Sequence, residues 1–337
     1  MITLRGAFME RTELLAIERP MKRDFSRLGF GVLALMAVWY GATYALAFGL
    51  RQFAPQLLGN PIISWIVNDV ALYLFGLPVM FLIVRKSEKT TIQKTDITVG
   101  SWLIILLIAI GVMMAGNMIS NSIIYIYQAV TKKVVDNSLQ LMISSSKLWQ
   151  VFLFAVVIAP IGEEFVFRRL LCDRLRKYGD LTAILISAWM FGCFHGNLFQ
   201  IIYGFTVGAV LAYVYLRYGK LRYTIYLHAT LNFLGGFVSA VILKYFYPDP
   251  SLLQGASLTE LMENLVSIVI SGGYSMLMSG LMIAGIVLFI VYVRQIRLNK
   301  GEVSIQPHRA IPVTFGNAGN ILLAVAFAAI ILYDLLV

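Results

Sequence analysis

The chain has 337 residues, 59% of them hydrophobic and 13% charged, with a mean hydropathy of +0.81. A soluble domain carries about 25% charged residues, so a soluble globular fold is excluded and lipid is the expected solvent. The net charge of +10 falls in short segments between apolar runs. That placement points to membrane topology and anionic lipid headgroups rather than to nucleic acid.

Residues 1–27 mix Arg5, Arg11, Arg19, Lys22, Arg23 and Arg27 with Glu10, Glu13, Glu18 and Asp24, and read as a polar amino-terminal tail carrying at most a surface helix. Apolar runs follow at Leu28–Leu50, Ile62–Val84, Trp102–Tyr127, Leu148–Leu171, Leu181–His195, Gln200–Leu216, Tyr223–Tyr245, Val266–Val293 and Asn320–Leu336. Runs of about 20 residues without alternation predict membrane-spanning helices. The expected fold is all-α, a polytopic transmembrane bundle of about eight or nine spans, with residues 28–337 forming one membrane domain. The first run is too long for a signal-peptide core and reads as a retained anchor. Between the third and fourth runs, Thr131–Lys147 is polar with scattered apolar residues and reads as a helix on the membrane face. Cys172 and Cys193 supply neither a disulfide framework nor a CxxC metal signature.

With nine spans and the amino terminus inside, 22 of the 27 Lys and Arg fall in cytoplasmic segments. Only Arg51, Lys132, Lys133, Lys147 and Lys244 fall outside. This bias sets the amino terminus in the cytoplasm.

The stretch Ala159-Pro160-Ile161-Gly162-Glu163-Glu164-Phe165-Val166-Phe167-Arg168-Arg169 places two acids at bilayer depth. Carboxylates there cost several kcal/mol and mark functional sites. Later helices carry His195 and His228, two of only three histidines; the third, His308, lies in a polar loop. Glu164 and Arg168 are four apart, as are Phe191 and His195, and His228 and Asn232. Each pair therefore shares one helical face. Glu163 points about 100° away from Glu164, so the two acids carry different roles. By helix rise, Glu163 lies about 16 Å from Arg174, His195 about 22 Å from Asp180 and His228 about 9 Å from Arg222. Tilt or a break must close those differences. Pro160 provides a bend, and Gly162, Gly192, Gly196, Gly235 and Gly236 allow close helix approach. Read singly, Glu164–Arg168 is also a structural ion pair, His195 an interhelical hydrogen bonder and Phe191 a packing residue.

The ordered set Glu163-Glu164-x-x-x-Arg168, Phe191-x-x-x-His195 and His228-x-x-x-Asn232 resembles the CPBP family, the CAAX proteases and bacteriocin-processing enzymes also called Abi proteins. The resemblance covers residues 148–236, and implies a catalytic core at about 148–246. It implies an intramembrane endopeptidase acting on a membrane-associated peptide or protein, through water activated by glutamate. Glu163 would be the general base, with His195 sharing the water. His228 and Asn232 would donate to the oxyanion, and Glu164, Arg168 and Phe191 would support the site. A carboxylate withdrawn from water is a stronger base. The amides of a helix backbone are already engaged, so the oxyanion donors must be side chains. No cofactor is required on this reading. An alternative sets zinc on Glu163, His195 and His228 with a water, although HExxH is lacking and Arg168 repels a cation. The bacterial branch of the family implies a cytoplasmic membrane location and roles in bacteriocin maturation or self-immunity. The rival classes are a proton-coupled transporter, whose relays also use Glu and His, and a pseudoprotease scaffold.

Overall fold

The structure is a computed structural model that describes residues 2–246 and 257–336. Among these residues every regular element is helical. The helices are α1 (Ile2–Phe53), α2 (Pro61–Val84), α3 (Val99–Thr131), α4 (Ser138–Ser145), α5 (Leu148–Tyr178), α6 (Asp180–Phe194), α7 (Leu198–Tyr218), α8 (Leu221–Tyr245), α9 (Leu258–Glu263), α10 (Leu265–Val293), α11 (Ala310–Thr314) and α12 (Ala318–Leu336). Eight of them are long and apolar enough to cross a membrane. The polytopic helical bundle expected from the composition is what the chain forms.

Two expected boundaries differ. No break separates a tail from the first span, because α1 runs for 52 residues. From Met21 its inner face is apolar, and Met21, Phe25 and Leu28 are buried as deeply as the span that follows. Glu18 accepts two hydrogen bonds from Arg309, at 2.6 and 2.7 Å, which anchors this end. The part of the expected tail before Ala16 lies outside the described side chains. The fifth run is the second difference. It forms α6, with 15 residues and a length of about 22 Å. That is short of a hydrocarbon layer of about 30 Å, so α6 is not among the eight. It pairs with α7 in a tight helical hairpin. A Cβ on Gly192 would meet the Ile201 carbonyl oxygen at 2.8 Å, and one on Gly208 would meet the Phe191 ring at 2.9 Å. Of the other glycines expected at close approaches, Gly236 has open space around it.

Polar contacts sort the connections onto two faces. On one, Lys177 and Tyr178 both donate to Asp24, and the buried Arg174 donates to the carbonyls of Val84 and Leu170. Asn299 donates to Asp180 through its backbone and side chain. On the other, Trp65 donates to Ser146, Lys244 to the Ser146 carbonyl and Tyr127 to the Leu335 carbonyl. The loops rich in Lys and Arg share the first face.

One core joins α1, α2, α5, α6 and α12 around Phe25, Leu35, Met80, Phe167, Phe191 and Phe194. A second joins α3, α7, α8 and α10 around Ala109, Leu211, Leu227 and Met278. The α6–α7 hairpin touches both, and its inner residues face α5 and α8, where the acids and histidines lie.

Candidate active site

α5 is irregular for a reason written in its sequence. π-helical turns occupy Phe152–Ile158 and Phe165–Cys172, on either side of the short α-helical piece Ala159–Glu164. Pro160 has no N–H to give, so the ladder around it must reorganise, and π-turns are a common solution at functional sites. The acids follow directly.

Glu164 and Arg168 form a fully buried pair. Arg168 Nε donates to Glu164 Oε2 at 2.9 Å and Nη2 to Oε1 at 3.3 Å. Both side chains have no exposure. The third guanidinium contact is to Ser187 Oγ on α6, at 3.0 Å, and Ser187 donates onward to the Phe167 carbonyl. Arg168 also lies over the Phe191 ring, 5.2 Å from its centroid. A buried pair is stable only when its remaining hydrogen-bonding capacity is filled, and here it is.

His228 on α8 completes that cluster. Its Nδ1 donates to Glu164 Oε1 at 3.0 Å. The other ring nitrogen, Nε2, then faces Glu163 Oε2 at 3.8 Å. Glu163 keeps 14% of its side-chain exposure against 0% for Glu164, so Glu163 is the more open of the two acids. The two adjacent acids thus differ in exposure and in partners.

His195 caps α6. Its Nδ1 lies 2.8 Å from the Phe191 carbonyl oxygen. A carbonyl only accepts, so Nδ1 carries the hydrogen and the neutral ring leaves Nε2 with a free lone pair. Phe191 stands edge-on to both histidines, with centroids 4.8 Å from His195 and 5.8 Å from His228. The turn beyond is polar: Asn197 donates to the His195 carbonyl and to Gln200, and Gln200 to Tyr203. Gly196 turns the chain there with φ of +65°.

Asn232, one turn after His228 on α8, donates from Nδ2 to the Ala155 carbonyl of α5 at 2.9 Å. The expected side chains therefore gather where α5, α6 and α8 meet. His308 does not join them; it is exposed in the turn Pro307–Arg309.

Several site residues escaped the sequence reading. Asp69, Tyr73 and Tyr203 lie within electrostatic reach of Glu163. The Tyr73 ring covers Gly162 so closely that a Cβ there would meet it at 2.1 Å. Trp39 donates to Asn68 and Asn68 to Asp69 Oδ1, while Asp69 Oδ2 is buried without a hydrogen-bond partner among the described residues. Asp69 had a readable signal, since it is an acid inside an apolar run. Ser187 and Tyr73 had none.

No group of three His, Cys, Asp or Glu side chains comes close enough to hold an ion among the described residues. Among the described residues, His195 and His228 each engage Nδ1 and leave Nε2, the nitrogen a metal would take, without a bond, and no chemistry is assigned to a metal. Two cavities lie away from the acids. One, of about 400 Å³, opens between α5 and α8 along Val156, Tyr226, Ala229, Thr230 and Phe233. The other, of about 440 Å³, lies in the loop face along Gln93, Asp96, Arg176 and Arg217.

Residues 145–234 match the family model described as Rce1-like, type II CAAX prenyl endopeptidase Rce1-like. This segment is similar to the CAAX-protease family. It runs from the end of α4 into the second half of α8 and contains Glu163, Glu164, Arg168, Phe191, His195, His228 and Asn232. The resemblance read from the three spaced pairs is borne out. Eight apolar helices around a segment similar to CAAX endopeptidases suggest an integral membrane protein. No curated protein and no solved structure matches the chain.

Proposed function

We propose that the protein is a glutamate-dependent intramembrane endopeptidase that cleaves a membrane-associated peptide or protein, with its amino terminus in the cytoplasm. The observation that carries the reading is Glu163 Oε2 at 3.8 Å from His228 Nε2, beside a buried pair that holds the histidine from behind. Glu163 takes a proton from water. The lone pair on His195 Nε2 accepts the second hydrogen bond of that water and orients it. The water oxygen attacks the scissile carbonyl carbon, and the negative charge moves to the carbonyl oxygen. His228 donates from Nδ1 to Glu164 and from Nε2 to this oxyanion. Glu163 then passes its proton to the leaving amine as the C–N bond breaks. Donors fixed in a dry site act on the transition state more strongly than they would in water. Asn232, which the family resemblance implies as a second oxyanion donor, has its amide turned to the Ala155 carbonyl instead. Metal is not needed for any of these transfers.

The test is release of the carboxy-terminal fragment from a prenylated CAAX peptide by purified protein in detergent, with and without chelator. Glu163→Gln keeps the shape and removes the base. Its rate should fall by about two to four orders of magnitude, the range of general-base contributions, with the unfolding midpoint unchanged. Cleavage by Glu163→Gln at the parent rate ends the proposal. A comparison of carboxy termini in membranes carrying either form would reveal the natural substrate class, whether prenylated proteins or bacteriocin-like peptides.

A further inference from the structure

Asn232 has a partner that the chain itself explains. In an α-helical register the Ala155 carbonyl would accept from the N–H of residue 159. In the π-register of Phe152–Ile158 it would accept from residue 160. Ala159 donates instead to the Phe154 carbonyl, and residue 160 is a proline. The Ala155 carbonyl is therefore orphaned by sequence, in lipid, where an unsatisfied backbone group costs several kcal/mol. Asn232 Nδ2 fills it at 2.9 Å.

The bond also has a geometric effect. α5 and α8 run antiparallel, and two polar rungs join them: His228 to Glu164, and Asn232 to Ala155. His228 and Asn232 are four apart and share a face. Two rungs one turn apart oppose both sliding and rotation of α8 against α5. The 3.8 Å gap between Glu163 and His228 Nε2 is then a consequence of the second rung as well as the first. Phe152, Phe233 and Phe237 close the seam next to that rung, with ring centroids at 5.4 to 6.5 Å.

We infer that Asn232 is a positioning residue: its amide replaces the N–H that Pro160 lacks, and this sets the height of His228 against Glu163. The inference rests on the proposed peptidase reading for its effect on rate, and on the structure alone for its effect on stability.

Pro160→Ala tests it, because that change returns an N–H to the Ala155 carbonyl. Asn232→Leu alone should lower cleavage of the prenylated CAAX peptide at least tenfold and lower the unfolding midpoint. Combined with Pro160→Ala, the same substitution should recover most of both losses. An oxyanion donor would behave otherwise, since no change at residue 160 replaces a lost contact to substrate. Recovery of neither rate nor midpoint in the double variant overturns the inference. If Asn232→Leu does not fold, a folded double variant supports it and an unfolded one overturns it. Absence of cleavage by the parent protein would count against the peptidase reading, and the midpoints would still decide the role of Asn232.

Discussion

Two carboxylates in this chain are each held by a cation and a ring, in opposite solvents. Glu164 is bound by Arg168 and the His228 imidazole with no exposed surface. Asp96 is bound by Lys220 and the Tyr223 hydroxyl, both at 2.5 Å, with 74% of its side chain in solvent. The exposed cluster has the shorter contacts. Distance is therefore a poor guide to what each contributes. Water screens the exposed Asp96 pair and replaces it when it is lost, whereas a buried charge such as Glu164 left alone has no replacement.

The largest effect should come from Arg168→Ala. It takes the cation from the buried Glu164, leaving it only the His228 hydrogen bond, removes the Ser187 bond, and should destabilise by about 3–5 kcal/mol, the usual result of breaking a buried pair. Thermal unfolding in detergent would read it; a loss under 1 kcal/mol would mean that water reaches Glu164 after all. Arg168→Lys should recover only part, since an ammonium cannot make both carboxylate contacts and the Ser187 contact in one plane.

Gly162→Val comes next. The new side chain would collide with the Tyr73 ring, and overpacking of this kind typically costs about 1–3 kcal/mol. Because Tyr73 lies near Glu163, peptide cleavage should fall along with the melting temperature. A wild-type rate would show that α2 can move aside freely.

Asp96→Asn should have the smallest effect, with no measurable shift in the unfolding midpoint. Hydrogen bonds from Lys220 and Tyr223 hold the Asp96 carboxyl below the usual carboxylate range. A depressed folded value means that its contribution is present above the unfolded value and is lost as pH falls through the folded one. Added salt should erase what little there is. A clear midpoint shift for Asp96→Asn at moderate salt would blur the contrast with Glu164.

Much of the site was legible because i, i+4 spacing is a local property. Glu164 with Arg168, and His195 with the carbonyl of Phe191, are bonds made within one helix. The meeting of His228 with the acids followed from depth and from the scarcity of histidine. What was not legible depends on how distant segments lie together. Ser187 is one serine in an apolar helix until Arg168 reaches it. Pro160 announced a missing donor, but nothing local said that Asn232 would supply it. The first helix was misjudged for a related reason. Charge density marked residues 1–27 as solvated, while Met21 and Phe25 needed the rest of the bundle before they had anywhere to be buried.

A hydrolase in lipid must be supplied with its co-reactant, and the short α6 bears on that supply. Its 15 residues make it about 8 Å shorter than a hydrocarbon layer of about 30 Å, and it ends in the turn His195–Asn197. Non-helical backbone at such depth persists only inside protein or beside water, and this turn is rimmed by Asn197, Gln200 and Tyr203. A polar turn at the open end of α6 gives bulk solvent an approach to His195 from that side, the supply of water that the proposed hydrolysis needs.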